Sequence, residues 1–465
     1  MKNRYIDLVE QTFDFPQEEF EVIDNSLHFN NIPVLDIIEQ YGTPLKITYL
    51  PKIGTQIQKA RRYFNVAMAK ADYKGSYTYC YCTKSSHFSF IIEQVVKEGA
   101  HIETSSTFDI SIVRKLVEDG KLSKDSFVIC NGYKKATYTD QIISLLKDGY
   151  SNVIPILDGV DELDKYEKYS GENKMKVGIR IATEEEPNFE FYTSRLGINP
   201  SAIIDFYKSK IKTNPNLELK MLHFFINTGI RDTAYYWAEL NKCIDLYCRL
   251  KKICPTLDSL DIGGGFPIKA NLDFNFDYQY MADEIIRQIK SGCAQKKVRE
   301  PNIFTEFGSF TVGESGAVFY KVMGTKKQND KETWNMIDSS FITTLPDIWG
   351  IKQKFILLAI NHWDKEYKRV NLGGLTCDSE DYYTMESVRN RVFMPVADTD
   401  DEPLYIGFFH TGAYQESLGG YGGIQHCLIP APKHVLIDRD ESGDYTTRLF
   451  AKEQSVKSMM KVLGY

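Results

Sequence analysis

The sequence predicts an α/β protein, a (β/α)8 barrel followed by a second, mainly antiparallel β domain. A short apolar strand followed by a helical pattern recurs eight times between residues 76 and 307. Beyond Gly308 the strand-like segments follow one another across loops, so the spacing needed for helical crossovers is lost. The length of 465 residues suits two or three domains, because one α/β barrel of about 250 residues counts as a single domain.

The eight predicted barrel strands are residues 76–82, 101–103, 126–130, 152–157, 176–182, 218–225, 259–262 and 302–307. An open doubly wound sheet is the competing interpretation, and it would be preferred if the repeats were fewer. The predicted strands of the second domain are residues 317–323, 355–360, 368–375, 391–396, 404–409, 434–437 and 445–450, with an amphipathic tail at 452–463. We therefore divide the chain into an N-terminal segment packing with the β domain (1–43), the barrel (44–308) and the β domain (309–465).

Composition excludes several classes of partner. The formal net charge of −7, without a long basic cluster, predicts no binding to nucleic acid or to anionic lipid. The N-terminus lacks a signal-type apolar run, and no apolar stretch of about 18 residues occurs. The nine cysteines show no CxxC pair and no zinc-type spacing with histidine. We expect reduced thiols, no metal site and a cytoplasmic protein without a membrane anchor.

Lys84 is the first candidate for chemistry. It follows the aromatic, β-branched strand in the stretch YTYCYCTKSSH (77–87), and Ser85 and Ser86 favour a helix N-cap behind it. A lysine walled by tyrosines at a strand end is poorly solvated, which makes its amine a usable nucleophile for a Schiff base. The alternative is an ordinary solvated lysine.

Other candidates also lie at strand ends. Gly263, Gly264 and Gly265 follow a strand and can close backbone N–H groups on an anion, or they form only a tight turn. Glu306 ends the last barrel strand, where it could hold a protonated ring nitrogen or be merely exposed. The remaining candidates are loop residues in the β domain and one strand histidine, each open to a purely structural interpretation: Cys377, Asp378, Tyr414 and His223.

In order along the chain, the motifs around Lys84, Gly263–Gly265, Glu306, Cys377-Asp378 and Tyr414 resemble those of the fold-type III pyridoxal-phosphate decarboxylases of basic amino acids. The family pattern is YAVKxN, HxGS, GGG, ExGR, CD and GAY. Within the family, residues 340–355 and the CDS and TGAYQE motifs are most similar to the bacterial biosynthetic arginine decarboxylases. The resemblance implies an alanine-racemase-like barrel, pyridoxal 5'-phosphate as cofactor, and decarboxylation of L-arginine to agmatine in polyamine biosynthesis.

The resemblance also implies individual roles. Lys84 would carry the Schiff base, and Glu306 would pair with the pyridine nitrogen. The three glycines and Tyr414 would hold the phosphate. Cys377 would protonate the carbanion left by decarboxylation, and Asp378 would bind the distal cation of the amino acid substrate. In this family the last two residues come from the other subunit, so a homodimer with shared active sites is implied.

Some positions depart from the family pattern. Phe225 stands for the histidine of HxGS, with Asn227 for its glycine and Thr228 for its serine, while His223 lies two residues earlier on what we predict is the same strand face. We assign Phe225 and Thr228 to the cofactor site, with His223 as the alternative stacking residue. Ser309 replaces the arginine of ExGR. These changes leave open a decarboxylase for ornithine, lysine, diaminopimelate or carboxynorspermidine, or a non-catalytic regulator.

Overall fold

The computed structural model describes residues 17–184, 193–330, 332–384, 392–396, 402–416 and 425–465. The chain divides into two compact units. The first unit consists of residues 1–52, 268–275 and 312–465, and the second of residues 53–267 and 276–311. Within the described ranges, no helix combines the length and hydrophobicity needed to cross a bilayer.

The N-terminal segment belongs to the first unit. It contains β1 (Phe20–Ile23), β2 (Ser26–Phe29), β3 (Ile32–Pro33), α1 (Val34–Tyr41) and β4 (Leu45–Tyr49), and is followed by α2 (Pro51–Lys70). β4 forms its strand-to-strand backbone hydrogen bonds with two strands of the later β domain. The boundary predicted at residues 43/44 is therefore wrong, and this unit extends to Lys52. Residues 268–275, predicted within the barrel, also belong to this unit.

The second unit contains the predicted eight-stranded barrel. Its strands are β5 (Tyr77–Cys82), β6 (His101–Thr104), β7 (Val128–Cys130), β8 (Val153–Leu157), β9 (Met175–Arg180), β10 (Leu217–His223), β11 (Ser259–Asp261) and β12 (Asn302–Phe307). All pairs are parallel, and β12 closes the barrel against β5. Every residue of β8 is apolar and buried, as expected of a parallel strand covered on both faces. Such continuous apolar runs made the barrel strands recognisable in the sequence. The prediction of a closed (β/α)8 barrel is confirmed.

Helices follow most of these strands. They are α3 (Ser89–Lys97), α4 (Thr107–Glu118), α5 (Ala136–Lys147), α6 (Glu167–Ser170), α7 (Pro200–Phe206), α8 (Ala234–Lys251), α9 (Tyr278–Lys296) and α10 (Ser309–Val312). Side chains cap several of them; Ser106, for example, accepts a hydrogen bond from the Asp109 N–H at the start of α4. Buried side chains inside the barrel, including Ile129, Ile156 and Phe304, form an apolar cluster below its mouth.

The first unit is completed by the predicted, mainly antiparallel domain. Its later elements are β13 (Gly316–Lys327), β14 (Thr333–Ile337), α11 (Phe341–Thr344), α12 (Pro346–Ile351), β15 (Ile356–Ala359), β16 (Tyr367–Gly373), β17 (Tyr382–Tyr383), β18 (Val392–Pro395), β19 (Tyr405–Phe409), β20 (Lys433–Arg439), β21 (Tyr445–Ala451) and α13 (Val456–Leu463). The central path is β17-β16-β14-β13-β4-β20-β21. β14 was not predicted, because it pairs with the exposed, polar end of β13 and lacks a wholly apolar pattern.

A buried cluster of charged groups joins distant parts of the first unit. Glu19 is 2% exposed, its carboxylate lies 3.4 Å from His410 Nε2, and Lys269 Nζ lies 3.1 Å away. Lys52 Nζ contacts the carboxylate of Glu314 at 3.1 Å. Burial alone raises the pKa of Glu19, but the hydrogen bond and charge of His410, with the charges of Lys52 and Lys269, lower it to about 2. These contacts therefore favour the ionised carboxylate.

We expect Glu19→Gln to lower the free energy of unfolding by about 3 kcal/mol at neutral pH. A folded-state pKa below the ordinary 4.5 stabilises the protein above pH 4.5, and this contribution is lost as the pH falls toward 2. Urea unfolding of wild type and variant at neutral and acidic pH measures the difference. Glu21→Gln, which alters an exposed glutamate of β1, is the matched control. An equal loss of stability at both pH values would show that Glu19 is not held ionised.

Candidate active site

Lys84 lies just beyond the C-terminal end of β5, in a 3-10 turn formed by Thr83–Ser85. Tyr81 supports the turn by donating a hydrogen bond to the Ser86 carbonyl at 2.9 Å. The serines do not cap a helix as predicted. Ser86 ends the turn through its N–H bond to Thr83, and α3 begins only after Phe88.

The environment of Lys84 also differs from the prediction. Its side chain is exposed, and its amine lies 6.0 Å from the ring centroid of Phe225, at the limit of a cation–π contact. The expected tyrosine wall is directed elsewhere, since the hydroxyls of Tyr77 and Tyr79 pair with Thr305 and Thr311 at 2.7 Å. An exposed amine beside an aromatic ring is open to a carbonyl compound entering the barrel mouth.

Phe225 and His223 are separated by the end of β10. The strand was predicted to reach Phe225 but ends at His223, so the two residues do not share a strand face. His223 is 1% exposed and lies inside the barrel, whereas Phe225 is half-buried near Lys84. Of these two residues, Phe225 is the one placed beside the lysine.

Glu306 is buried rather than exposed at the end of β12. Its Oε1 atom accepts a hydrogen bond from Asn131 Nδ2 at 2.8 Å. His223 Nδ1 lies 3.5 Å from Asp261 Oδ1 and 3.8 Å from Glu306 Oε2. The three residues come from the adjacent strands β10, β11 and β12. Their ligand atoms lie within 4.8 Å of one another, which is close enough for a metal ion as well as for a cationic ring nitrogen.

Burial makes full ionisation of this trio costly. It raises the pKa of Asp261 to about 7, and burial together with the charge of Asp261 raises the pKa of Glu306 well above its ordinary value. Burial also lowers the pKa of His223 to about 4, so the imidazole is neutral at pH 7. Two adjacent carboxyl groups with a neutral histidine do not both ionise. A cation placed against Glu306 would favour its ionised form.

The glycine loop after β11 packs directly against this trio. Gly263 donates its N–H to Asp261 Oδ1 at 2.8 Å, and its carbonyl accepts from the Glu306 N–H at 2.8 Å. A methyl group added at Gly264 would lie 2.1 Å from the Glu306 carbonyl oxygen. Gly265, at φ +102°, packs against Gly229. Within the described ranges, the N–H groups of Gly264 and Gly265 have no hydrogen-bond partner, so both can bind an anion.

Several site residues were missed by the sequence analysis. Arg180 and Asn131 lie at the ends of β9 and β7, and Glu103, in β6, accepts a hydrogen bond from Cys82 Sγ at 2.7 Å. Their common signal is position near the carboxyl end of a barrel strand. Gly229 follows half-buried Thr228 in the loop after β10, one position beyond the stretch that corresponds to HxGS. Its φ of +76° explains why glycine is favoured there.

Three predicted site residues belong to the first unit. Cys377 is exposed, and its Sγ lies 3.6 Å from that of Cys427, with which it shares a hydrogen bond that raises its pKa. Asp378 Oδ2 lies 3.4 Å from His426 Nε2. Tyr414 occupies a left-handed conformation, φ +68°, in the loop after β19. The structure thus places Cys377 and Asp378 in one polar cluster, and Tyr414 on a separate loop of that unit.

Comparison with known proteins now identifies the family. The family described as "Pyridoxal-dependent decarboxylase, pyridoxal binding domain" matches residues 55–313, more than half of the chain. The chain belongs to the pyridoxal-dependent decarboxylases. This decarboxylase is therefore a carboxy-lyase that uses pyridoxal 5'-phosphate.

Relatives extend the match to most of the decarboxylase chain. A biosynthetic arginine decarboxylase of Prochlorococcus marinus (strain AS9601) is 23% identical, covering 92% of this chain and 83% of the relative. Arginine decarboxylase 2 of Arabidopsis thaliana is 21% identical, covering 86% and 70%.

Solved structures share the fold over a similar extent. The biosynthetic arginine decarboxylase of Campylobacter jejuni has a TM-score of 0.82 at 20% identity, covering 97% of this chain and 89% of that one. Diaminopimelate decarboxylase of M. jannaschii, solved with L-lysine, has a TM-score of 0.79 at 17% identity, covering 95% and 97%.

We expect Gly264→Ala to weaken cofactor binding by about 2 kcal/mol, roughly 30-fold, because the added methyl group would displace the backbone of Glu306. Titration of the apoenzyme with pyridoxal phosphate, followed by visible absorbance, gives the apparent Kd. Gly350→Ala is the control, because a methyl group there meets nothing within 4 Å. Equal affinities in the two variants would contradict a role for this close approach.

Proposed function

We propose that the enzyme decarboxylates L-arginine to agmatine and carbon dioxide. The supporting observation is that arginine decarboxylases from a cyanobacterium and a plant each align with most of this chain. Decarboxylation of a basic amino acid is common to these relatives and to the lysine decarboxylase among the structural neighbours. The arginine-type motifs at residues 340–355, Cys377–Ser379 and Thr411–Glu416 favour arginine within that class.

The residues at the barrel mouth fit pyridoxal phosphate. Lys84 would supply an accessible amine for the covalent link, and Phe225, whose ring centroid lies 6.0 Å from that amine, would cover one face of the planar ring. The free N–H groups of Gly264 and Gly265 suit a phosphate, and we assign Thr228 and Tyr414 to the same group. Because Ser309 supplies no cation where the family has arginine, backbone N–H groups would carry more of the phosphate binding.

Glu306 would hold the protonated ring nitrogen. When bound, the cofactor supplies an electron sink for the bond broken as carbon dioxide leaves. Glu306 keeps that nitrogen protonated only if its own carboxylate is ionised, and a ring cation offsets the burial that raises its pKa. Asn131 holds one carboxylate oxygen of Glu306 by its hydrogen bond. The other oxygen lies 3.8 Å from Nδ1 of the neutral His223.

Cys377 and Asp378 would complete the reaction. We assign Cys377 as the donor that protonates the substrate carbon after decarboxylation, and Asp378 as the acceptor for the distal guanidinium. A planar guanidinium can donate two parallel hydrogen bonds to one carboxylate, which suits arginine at this position. We further propose a homodimer in which these two residues serve the lysine of the other subunit, as the family resemblance implies.

Carbon dioxide release from labelled arginine, ornithine, lysine, diaminopimelate and carboxynorspermidine tests the proposal. We expect the highest kcat/KM with arginine, because Asp378 can bind its guanidinium through two hydrogen bonds. Lys84→Ala should abolish release, whereas Lys115→Ala, which alters an exposed lysine of α4, should leave it unchanged. A higher kcat/KM with any other substrate would overturn the assignment to arginine.

Mixing inactive Lys84→Ala and Cys377→Ala chains tests the shared site. In a two-fold dimer, each hybrid carries one doubly altered site and one with every residue intact. Random exchange should therefore restore roughly a quarter of wild-type activity per chain. Each variant mixed only with itself is the control. Demonstrated subunit exchange without recovered activity would place the complete site within one chain.

A further inference from the structure

Two exposed thiols lie side by side in the first unit. Cys377 Sγ, in the loop after β16, is 3.6 Å from Cys427 Sγ, in a 3-10 turn formed by His426–Leu428. The other seven cysteines are buried. A diffusible oxidant therefore reaches this pair more readily than any other thiol of the chain.

The two sulfur atoms are close enough to form a covalent bond after a small movement. A disulfide requires the sulfur atoms to close to about 2.05 Å, and both residues lie outside β-strands and α-helices, where small backbone adjustments are possible. Cys248 and Cys293 provide an internal comparison. Their sulfurs lie 4.0 Å apart, but both are buried and are held on the helices α8 and α9.

We propose that Cys377 and Cys427 are an oxidative modification site, at which a reversible disulfide inactivates the enzyme. The loss of activity rests on the proposed role of Cys377 as proton donor, whereas formation of the bond does not. Transient disulfides of this kind are the form in which reducing compartments use thiol oxidation for control. Whichever thiol of the pair is oxidised first, the other would act as the resolving thiol.

The oxidant is a two-electron acceptor such as hydrogen peroxide. A thiolate of the pair attacks one peroxide oxygen, the O–O bond breaks, and the hydroxide released takes up a proton to become water. The second thiol then attacks the sulfenic acid, forming the S–S bond and breaking the S–O bond. The leaving hydroxide takes the second thiol proton as another water. A dithiol reductant reverses the change by thiol–disulfide exchange.

The disulfide would affect the site in two ways. It removes the Cys377 S–H, so no proton is available at that sulfur. It also ties down the 3-10 turn that carries His426, whose Nε2 already lies 3.4 Å from Asp378 Oδ2. The imidazole would then be held beside the carboxylate assigned to the substrate guanidinium.

The test treats pyridoxal-phosphate-loaded enzyme with diamide, an azo compound that takes two electrons and two protons from a thiol pair. After alkylation of free thiols and digestion without reductant, mass spectrometry should find the peptides of Cys377 and Cys427 linked. Activity should fall by about 100-fold or more, the usual effect of losing a positioned proton donor, and dithiothreitol should restore it. Cys427→Ser should have normal basal activity and resist diamide. Cys248→Ser, in the buried pair, should respond as wild type does.

Absence of the linked peptide, or equal inactivation of Cys427→Ser, would overturn the modification site. If Cys377→Ala is inactive and no disulfide forms, the proposed donor role stands and only the modification site fails. If the disulfide forms without loss of activity, the switch is wrong and so is the donor role of Cys377. These outcomes separate the failure of the inference from that of the proposed function.

Discussion

The closure of the barrel by β12 against β5 determines the geometry of the candidate active site. The register pairs Thr305 with Tyr79 and Glu306 with Cys80, in parallel. Neighbouring parallel strands end on the same rim, so this pairing brings the end of β12 to the strand that leads into Lys84. The glycine loop after β11 then packs on the Glu306 backbone and lies on the same rim. One hydrogen-bonded strand pair thus relates the Lys84 amine, the Glu306 carboxyl group and the glycine loop.

Two of the buried clusters of ionisable groups in the described residues, those around Glu19 and Glu306, behave in opposite ways. Glu19 is surrounded by His410, Lys52 and Lys269, and its pKa is lowered. Glu306 is also buried, but its neighbours are Asp261 and a neutral His223, and its pKa is raised. The difference comes from the charge of the neighbours, since burial acts in the same direction on both. The first cluster is paired and stabilises the fold, whereas the second needs a cationic partner, as expected of a functional site.

The sequence was sufficient for the barrel because buried parallel strands are short apolar runs with helices between them. It was not sufficient to assign β4 to the correct unit, because the residues of an apolar strand do not indicate whether its partner strands are near or far in sequence. The solvation of Lys84 was also missed, because the hydroxyls of neighbouring tyrosines pair with residues of β12 and α10 that no local pattern connects to them. The same applies to Asn131, which reaches Glu306 across the barrel mouth. The order of the motifs identified the candidate site residues, whereas long-range packing determines the environment of each of their side chains.

The position of β4 has a consequence for how the chain folds during synthesis. β4 pairs on one side with β13 and on the other with β20, both of which are translated after the whole barrel. The barrel strands, by contrast, find their partners within a single continuous stretch of chain. On the ribosome the barrel can therefore form first, while β4 has two unpaired edges until the C-terminal strands emerge. For that interval a nascent chain exposes an apolar strand whose unpaired edges are open to pairing with other chains.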